Sequence, residues 1–339
     1  MTPYFRPIAH TDPVRPPGAL PLAGGWAWFD RAERITREGA REIVAAEAIP
    51  ADLRDRLSAP RAVLAGLSFD APRLMGILNV TPDSFSDGGR DADAAAAAAR
   101  AEALVAAGAD ILDIGGESTR PGAAEVPAET ERSRVLPVIA ALKPRVTAPL
   151  SLDTRKAAVA GPALDAGVDI VNDVSSFTHD PDLGPLCATR GVPVCAMHMI
   201  GTPETMQHNP RYDDVVLDVY DALEARVQAL EAMGFDRARI IVDPGIGFGK
   251  TEAHNLALLR SLSLFHGLGC VMLLGVSRKG FIGRIGQAPE ADRRAPGSIA
   301  IGLAALDQGV QILRVHDVAE TRQALRLWAA VRMSRGEGA

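Results

Sequence analysis

Leu74-Met75-Gly76-Ile77-Leu78-Asn79 is a short apolar run that stops at a polar side chain able to hold a ligand. The pattern recurs along the chain. Residues 111–114 run into Glu117 and Thr119, 150–152 into Asp153, 170–171 into Asn172 and Asp173, and 194–197 into His198. Further on, 240–242 end at Asp243, 271–276 at Ser277, Arg278 and Lys279, and 312–313 at Arg314 and His316. Helical patterns separate or follow these runs, over 92–107, 128–142, 155–166, 182–190, 215–233, 253–262, 298–308 and 318–332. Strand and helix patterns in alternation predict a parallel sheet. Eight strands that each deliver polar groups at their C-terminal ends predict a closed (β/α)8 TIM barrel, whose active site lies at that face. A doubly wound open sheet usually has fewer strands.

The chain has 339 residues, 47% of them apolar, more than the roughly 250 that one barrel needs. The reading is therefore an N-terminal extension over 1–70 and a barrel over 71–335. Prolines at 3, 7, 13, 16, 17 and 21 argue against regular structure at the start, and two charged, weakly amphipathic pieces follow over 30–46 and 51–57. No motif falls in the extension, so it is expected to be a cap packed on the barrel away from the chemistry. The net charge is −6, with both signs mixed along the sequence, which argues against a nucleic-acid surface. No apolar stretch approaches a membrane span, and the first residues lack the apolar core of a signal peptide. Cys187, Cys195 and Cys270 are an odd number at spacings that fit no zinc motif, which points away from a disulfide framework or structural metal and toward a reducing cytoplasm.

Two loops stand out. Asn79-Val80-Thr81-Pro82-Asp83-Ser84-Phe85-Ser86-Asp87-Gly88-Gly89 is longer than a strand-to-helix connection needs and carries an aromatic residue, as binding loops do. Gly115-Gly116-Glu117-Ser118-Thr119-Arg120-Pro121-Gly122 puts hydroxyls, an arginine and a rigid proline at the same face. Gly249-Lys250-Thr251 ends like a phosphate-binding loop, but Pro244 stands where that motif needs glycine. Gly245, Gly247 and Gly249 also lack dinucleotide-binding spacing. They suit close approach of backbone to a flat ligand. His10, His179, His208, His254 and His266 have no companion motif and read as surface or packing residues.

Together with Ser151-Leu152-Asp153-Thr154, Asn172-Asp173, Met197-His198-Met199, Asp243-Pro244-Gly245-Ile246-Gly247-Phe248-Gly249-Lys250, Ser277-Arg278-Lys279 and Arg314-Val315-His316-Asp317, these loops resemble the dihydropteroate synthases of folate biosynthesis over about residues 73–332. The resemblance implies that 6-hydroxymethyl-7,8-dihydropterin pyrophosphate is joined to p-aminobenzoate with loss of pyrophosphate. It implies a pterin site of Asp153, Asn172, Met197, Asp243 and Lys279, whose acceptors and amide suit a 2-amino-4-oxo-pyrimidine edge. Asn79, Thr119, Arg120, Arg314 and His316 would take the pyrophosphate, with Mg2+ on Asn79. Phe85, Pro121, Phe248 and Gly280 would hold p-aminobenzoate, and Asp153, Lys279, Arg314 and His316 would carry the catalysis. A homodimer through the late outer helices and competition by sulfonamides are further implications. One residue departs from the family pattern, because Gly280 stands where a serine is common and so lacks its hydroxyl. A pterin-dependent methyltransferase is the alternative enzyme, but it would not need a pyrophosphate site. A catalytically silent pterin-binding paralogue is the alternative of another class, and turnover separates it from the synthase.

Overall fold

The computed structural model describes residues 3–80, 90–118, 122–202 and 204–332. The extension contains β1 (Tyr4–Pro7), β2 (Leu20–Pro21), β3 (Trp28–Phe29), β4 (Arg31–Ile35), β5 (Arg41–Ala45) and α1 (Ala51–Ser58). After it, β6 (Arg73–Asn79), α2 (Arg90–Ala106), β7 (Ile111–Gly115), α3 (Ala128–Leu142), β8 (Leu150–Asp153), α4 (Ala157–Asp165), β9 (Ile170–Asp173) and α5 (Leu183–Arg190) alternate. The alternation continues through β10 (Val194–Met197), α6 (Val215–Ala232), β11 (Ile240–Asp243), α7 (Glu252–Arg260) and β12 (Val271–Leu274). It ends with α8 (Gly280–Ile285), α9 (Ala295–Leu306), β13 (Ile312–Val315) and α10 (Val318–Arg332). Strands β6 to β13 form one closed barrel, with β13 pairing in parallel with β6 and so leaving no edge. This is the expected (β/α)8 fold.

The two-residue period of a strand sends alternate side chains inward. Met75, Ile111, Ile170, Cys195, Ile241, Val271, Leu273 and Ile312 form one buried apolar cluster inside the barrel, near the strand starts. Two residues further along several of these strands, the same face presents Asp113, Asn172, Met197, Asp243 and Arg314. The intervening side chains, such as Leu112, Leu152, Val171, Val242 and Leu313, join the core shared with the helices. Apolar floor and polar mouth are thus consecutive layers of the same strands.

The early prolines do not prevent strand formation. Pro7 and Pro21 each end a short strand, where loss of an N–H is tolerated. Within 30–46 the chain is a hairpin, with β4 antiparallel to β5 and Gly39 at φ +89° in the connection. Helix α9 starts three residues before the expected position because Pro296 fits its first turn. The six-residue α8 has no helical pattern in the sequence, since Gly280, Gly283 and Gly286 argue against one, although the family resemblance implies a helix start at Gly280.

The extension shares the barrel's core. Leu22, Phe29, Ile35 and Leu57 are fully buried in the cluster that contains the barrel helices, and Leu64 and Phe69 pack on the apolar floor. The Trp26 indole N–H donates to the Leu306 carbonyl at 2.8 Å, while Arg37 bonds Asp218 and Asp221 on α6. Because Phe69 is only 3% exposed, Phe69→Ala should cost about 3–5 kcal/mol in a denaturant titration. Turnover per folded molecule should stay unchanged, since the floor lies at the opposite end of the strands from the polar mouth.

Candidate active site

Arg314 on β13 crosses the barrel and joins three strands. Its Nε donates to Asp113 Oδ2 at 2.6 Å and its Nη2 to Asp153 Oδ2 at 2.9 Å. Asp113 also accepts from Asn172 Nδ2 at 3.2 Å and Ser151 Oγ at 2.6 Å, so both its oxygens are occupied. Asp153 is in a different position. Burial pushes its carboxyl up to about 7, against the opposing pull of Arg314 and with Asp113 adding repulsion. Asn79 and Gly115 adjoin it, as a Cβ on Gly115 would lie 3.6 Å from Asp153 Cβ and 3.7 Å from Asn79 Oδ1. Among the described residues, the Asn79 side chain has no hydrogen-bond partner.

A second corner lies across the mouth. Asp243 ends β11 beside Met197 of β10, and its Oδ1 accepts from Gly245 N at 2.7 Å. Burial raises its carboxyl pKa, opposed by that N–H and by the charge of Lys279. Gly275 leaves room beside it, since a Cβ there would be 3.6 Å from Asp243 Oδ2. Lys279 donates to the Ile246 carbonyl, and its ammonium sits 4.0 Å from the centre of the Phe248 ring, a cation–π contact. Burial pushes this lysine down to about 7, with Asp243 opposing. Gly245 has φ +67°, and a Cβ there would lie 1.9 Å from the His198 carbonyl oxygen, so no other residue fits this turn.

His316 faces Ser277 Oγ at 2.9 Å through Nδ1, and its backbone N–H donates to the same oxygen at 3.1 Å. Arg278 turns away to Asp317, leaving Lys279 as the cation of that triplet next to Asp243. Gly280 is exposed at the first position of α8. The structure therefore brings Asp153, Asn172 and Arg314 into one contact network, and groups Met197, Asp243, Lys279 and Phe248 in another. Thr119, Arg120, Pro121 and Phe85 lie outside the described residues.

Several residues of this region were not singled out from the sequence. Asp113 was hidden inside an apolar run, although a lone carboxylate in a buried strand itself signals a missing cationic partner. Glu117 reads from the sequence only as a strand end. It is buried and accepts from Val126 N at 2.8 Å, Arg155 at 3.1 Å and Lys156 at 3.0 Å, while Lys156 also bonds Glu131. This cluster ties residue 117 to residue 126 and so closes the base of the second loop.

The family described as pterin binding enzyme matches residues 75–316. The dihydropteroate synthase of Escherichia coli K12 is 44% identical over 261 residues, covering 77% of this chain and 92% of that protein. The chain belongs to the dihydropteroate synthases. A synthase structure from Xanthomonas albilineans with 4-aminobenzoic acid shares 46% identity at a TM-score of 0.76, covering 81% of this chain and 99% of that one. A Yersinia pestis synthase structure, a sulfonamide drug complex, shares 43% identity at the same TM-score and covers 81% and 100%.

Removing the arginine at the centre of the first network isolates two buried carboxylates. Arg314→Met should therefore lower unfolding free energy by about 3–5 kcal/mol in urea. Adding Asp113→Asn should return part of that loss, because one uncompensated charge is removed. An additive double variant would contradict the ion-pair account.

Proposed function

We propose that the barrel mouth divides the synthase reaction between its two corners and the loops. Asp243 accepts the N–H pair of the pterin pyrimidine edge, Lys279 reaches the pterin carbonyl and ring nitrogen, Met197 lies under the ring, and Asn172 and Asp153 take the other edge. The observation that carries this reading is the buried Asp153–Arg314 ion pair at the mouth, with Asp243 and Lys279 close enough to each other for their charges to interact. The relatives are synthases, so a pyrophosphate leaving group is expected, which the methyltransferase alternative does not supply.

Pyrophosphate would be held by Asn79, Arg314 and His316, with Thr119 and Arg120. The amide of Asn79, which has no hydrogen-bond partner among the described residues, offers one hard oxygen donor, which fits Mg2+ bound largely through substrate phosphates. When bound, the metal would neutralise charge on departing pyrophosphate. Asp153 is placed to stabilise positive charge spread into the pterin ring once the carbon–oxygen bond breaks, the electrostatic contribution that is commonly the largest in catalysis. A weakly nucleophilic aromatic amine then attacks an already electrophilic methylene, and no side-chain nucleophile is needed. Phe248 and the N–H of Gly280 would meet p-aminobenzoate, with Phe85 and Pro121. Sulfonamides, which also carry an aniline ring with an acidic group at the far end, would compete there.

The assembly proposed is a homodimer. Ile285, Leu327 and Val331 on the late helices are exposed apolar side chains that support it. No helix among the described residues is long and apolar enough to cross a membrane, and the three cysteines are free, which supports a cytoplasmic setting.

Purified protein with both substrates should release pyrophosphate and form 7,8-dihydropteroate in a Mg2+-dependent manner, and no product would overturn the reading. Asp243→Ala removes a charged acceptor facing two donors. It should weaken pterin binding by about two orders of magnitude in calorimetry while circular dichroism stays native. In initial-rate assays, a sulfonamide should raise the apparent KM for p-aminobenzoate and leave kcat unchanged. Inhibition insensitive to p-aminobenzoate would reject the shared subsite.

A further inference from the structure

We infer that Lys250 is a positioning residue for the amine substrate, its ammonium pinning the segment that carries Phe248 to the end of β10. The inference rests on the proposal that Phe248 contacts the p-aminobenzoate ring. The segment from Gly245 to Lys250 has three glycines at positive φ, of +67°, +83° and +61°, and forms neither helix nor strand. Its carbonyls are satisfied from within and from outside: Phe248 N–H donates to the Gly245 oxygen at 3.1 Å, and side chains take the next four. Lys279 bonds the Ile246 oxygen, Gln207 Nε2 the Gly247 oxygen at 2.8 Å, Lys250 the Phe248 oxygen at 2.9 Å, and Tyr212 Oη the Gly249 oxygen at 2.8 Å.

These anchors are not equivalent. Lys279 is the ammonium that the proposed pterin contact would recruit, and a lysine that turns to a ligand loosens its hold on Ile246. Gln207 is exposed. Lys250 is 3% exposed, and each of its three N–H donors has an acceptor, namely the Phe248 oxygen, the His198 oxygen at 3.2 Å and His198 Nδ1 at 2.9 Å. Burial and the neighbouring lysine keep the His198 imidazole neutral, so Nδ1 accepts. No donor of Lys250 is left for a substrate. Burying an ammonium is costly, and an apolar side chain of the same length would fill the space without that cost. Burial pushes Lys250 down to about 7, so what the residue supplies is less a fixed charge than N–H donors that tie His198, just after β10, to the carbonyl of the residue whose ring lies 4.0 Å from Lys279 Nζ.

The test is a double-mutant cycle of Lys250→Met and Phe248→Ala, reading KM for p-aminobenzoate, kcat and pterin affinity. Each single variant should raise KM for p-aminobenzoate about tenfold, with pterin affinity within about twofold of the parent. The double variant should be no worse than Phe248→Ala alone to within about twofold, because the lysine acts through that ring. If Lys250→Met does not fold, Lys250→Gln, which keeps an amide donor, carries the same comparison. An unchanged KM in the lysine variant beside a raised one in Phe248→Ala overturns the inference alone. Multiplying effects in the double variant, or an equal loss of pterin affinity, also overturn it, since they report a general structural role. An unchanged KM in Phe248→Ala removes the ring contact and the inference together.

Discussion

A guanidinium inside a ring of strands must be matched by carboxylates, and the Arg314 fork between Asp113 and Asp153 is the match on which the mouth of this barrel depends. The fork spans from the eighth barrel strand to the second and third, so it fixes side chains that are far apart in sequence. Asp113 is saturated by Ser151, Asn172 and the arginine. Asp153, among the described residues, accepts from Arg314 alone and is the carboxylate whose ionised form burial disfavours. One carboxylate therefore acts as anchor, and the other retains capacity for a ligand. The apolar layer beneath makes this affordable: Ile111, Ile241, Ile312 and their neighbours exclude water from the floor while the next inward positions are polar.

Much of this was legible because a strand end is a local signal. Asp153, Asn172, Asp243, Lys279 and Arg314 each follow an apolar run, and a closed barrel gathers all such ends at one face. Partnerships were not legible, because they depend on which strands adjoin or face one another. Arg314 reads from sequence as an anion binder, and nothing local shows that its Nε and Nη2 also bond two carboxylates 201 and 161 positions away. Lys250 reads as the tail of a failed phosphate-binding loop. It becomes intelligible only when His198, 52 positions earlier, is seen to meet it.

The extension shows the opposite limit. Its prolines and mixed charges carry weak periodic information, so the hairpin of β4 and β5 did not stand out, and nothing in the sequence connects Trp26 to Leu306. Those contacts are surface complementarity, which composition does not encode. The floor residues Leu64 and Phe69 follow the same rule, since their burial is a property of the strand starts they cover.

The elevated Asp153 carboxyl ties occupancy of the mouth to the acidity of the medium. Burial favours the protonated form of this group before any ligand arrives. A ligand that offers N–H donors to it favours the carboxylate and lowers its pKa, so association expels a fraction of a proton. The heat of association then includes the ionisation enthalpy of whichever buffer takes up the proton. The same coupling makes affinity rise as the solution becomes less acid, up to the point where the empty site has already ionised.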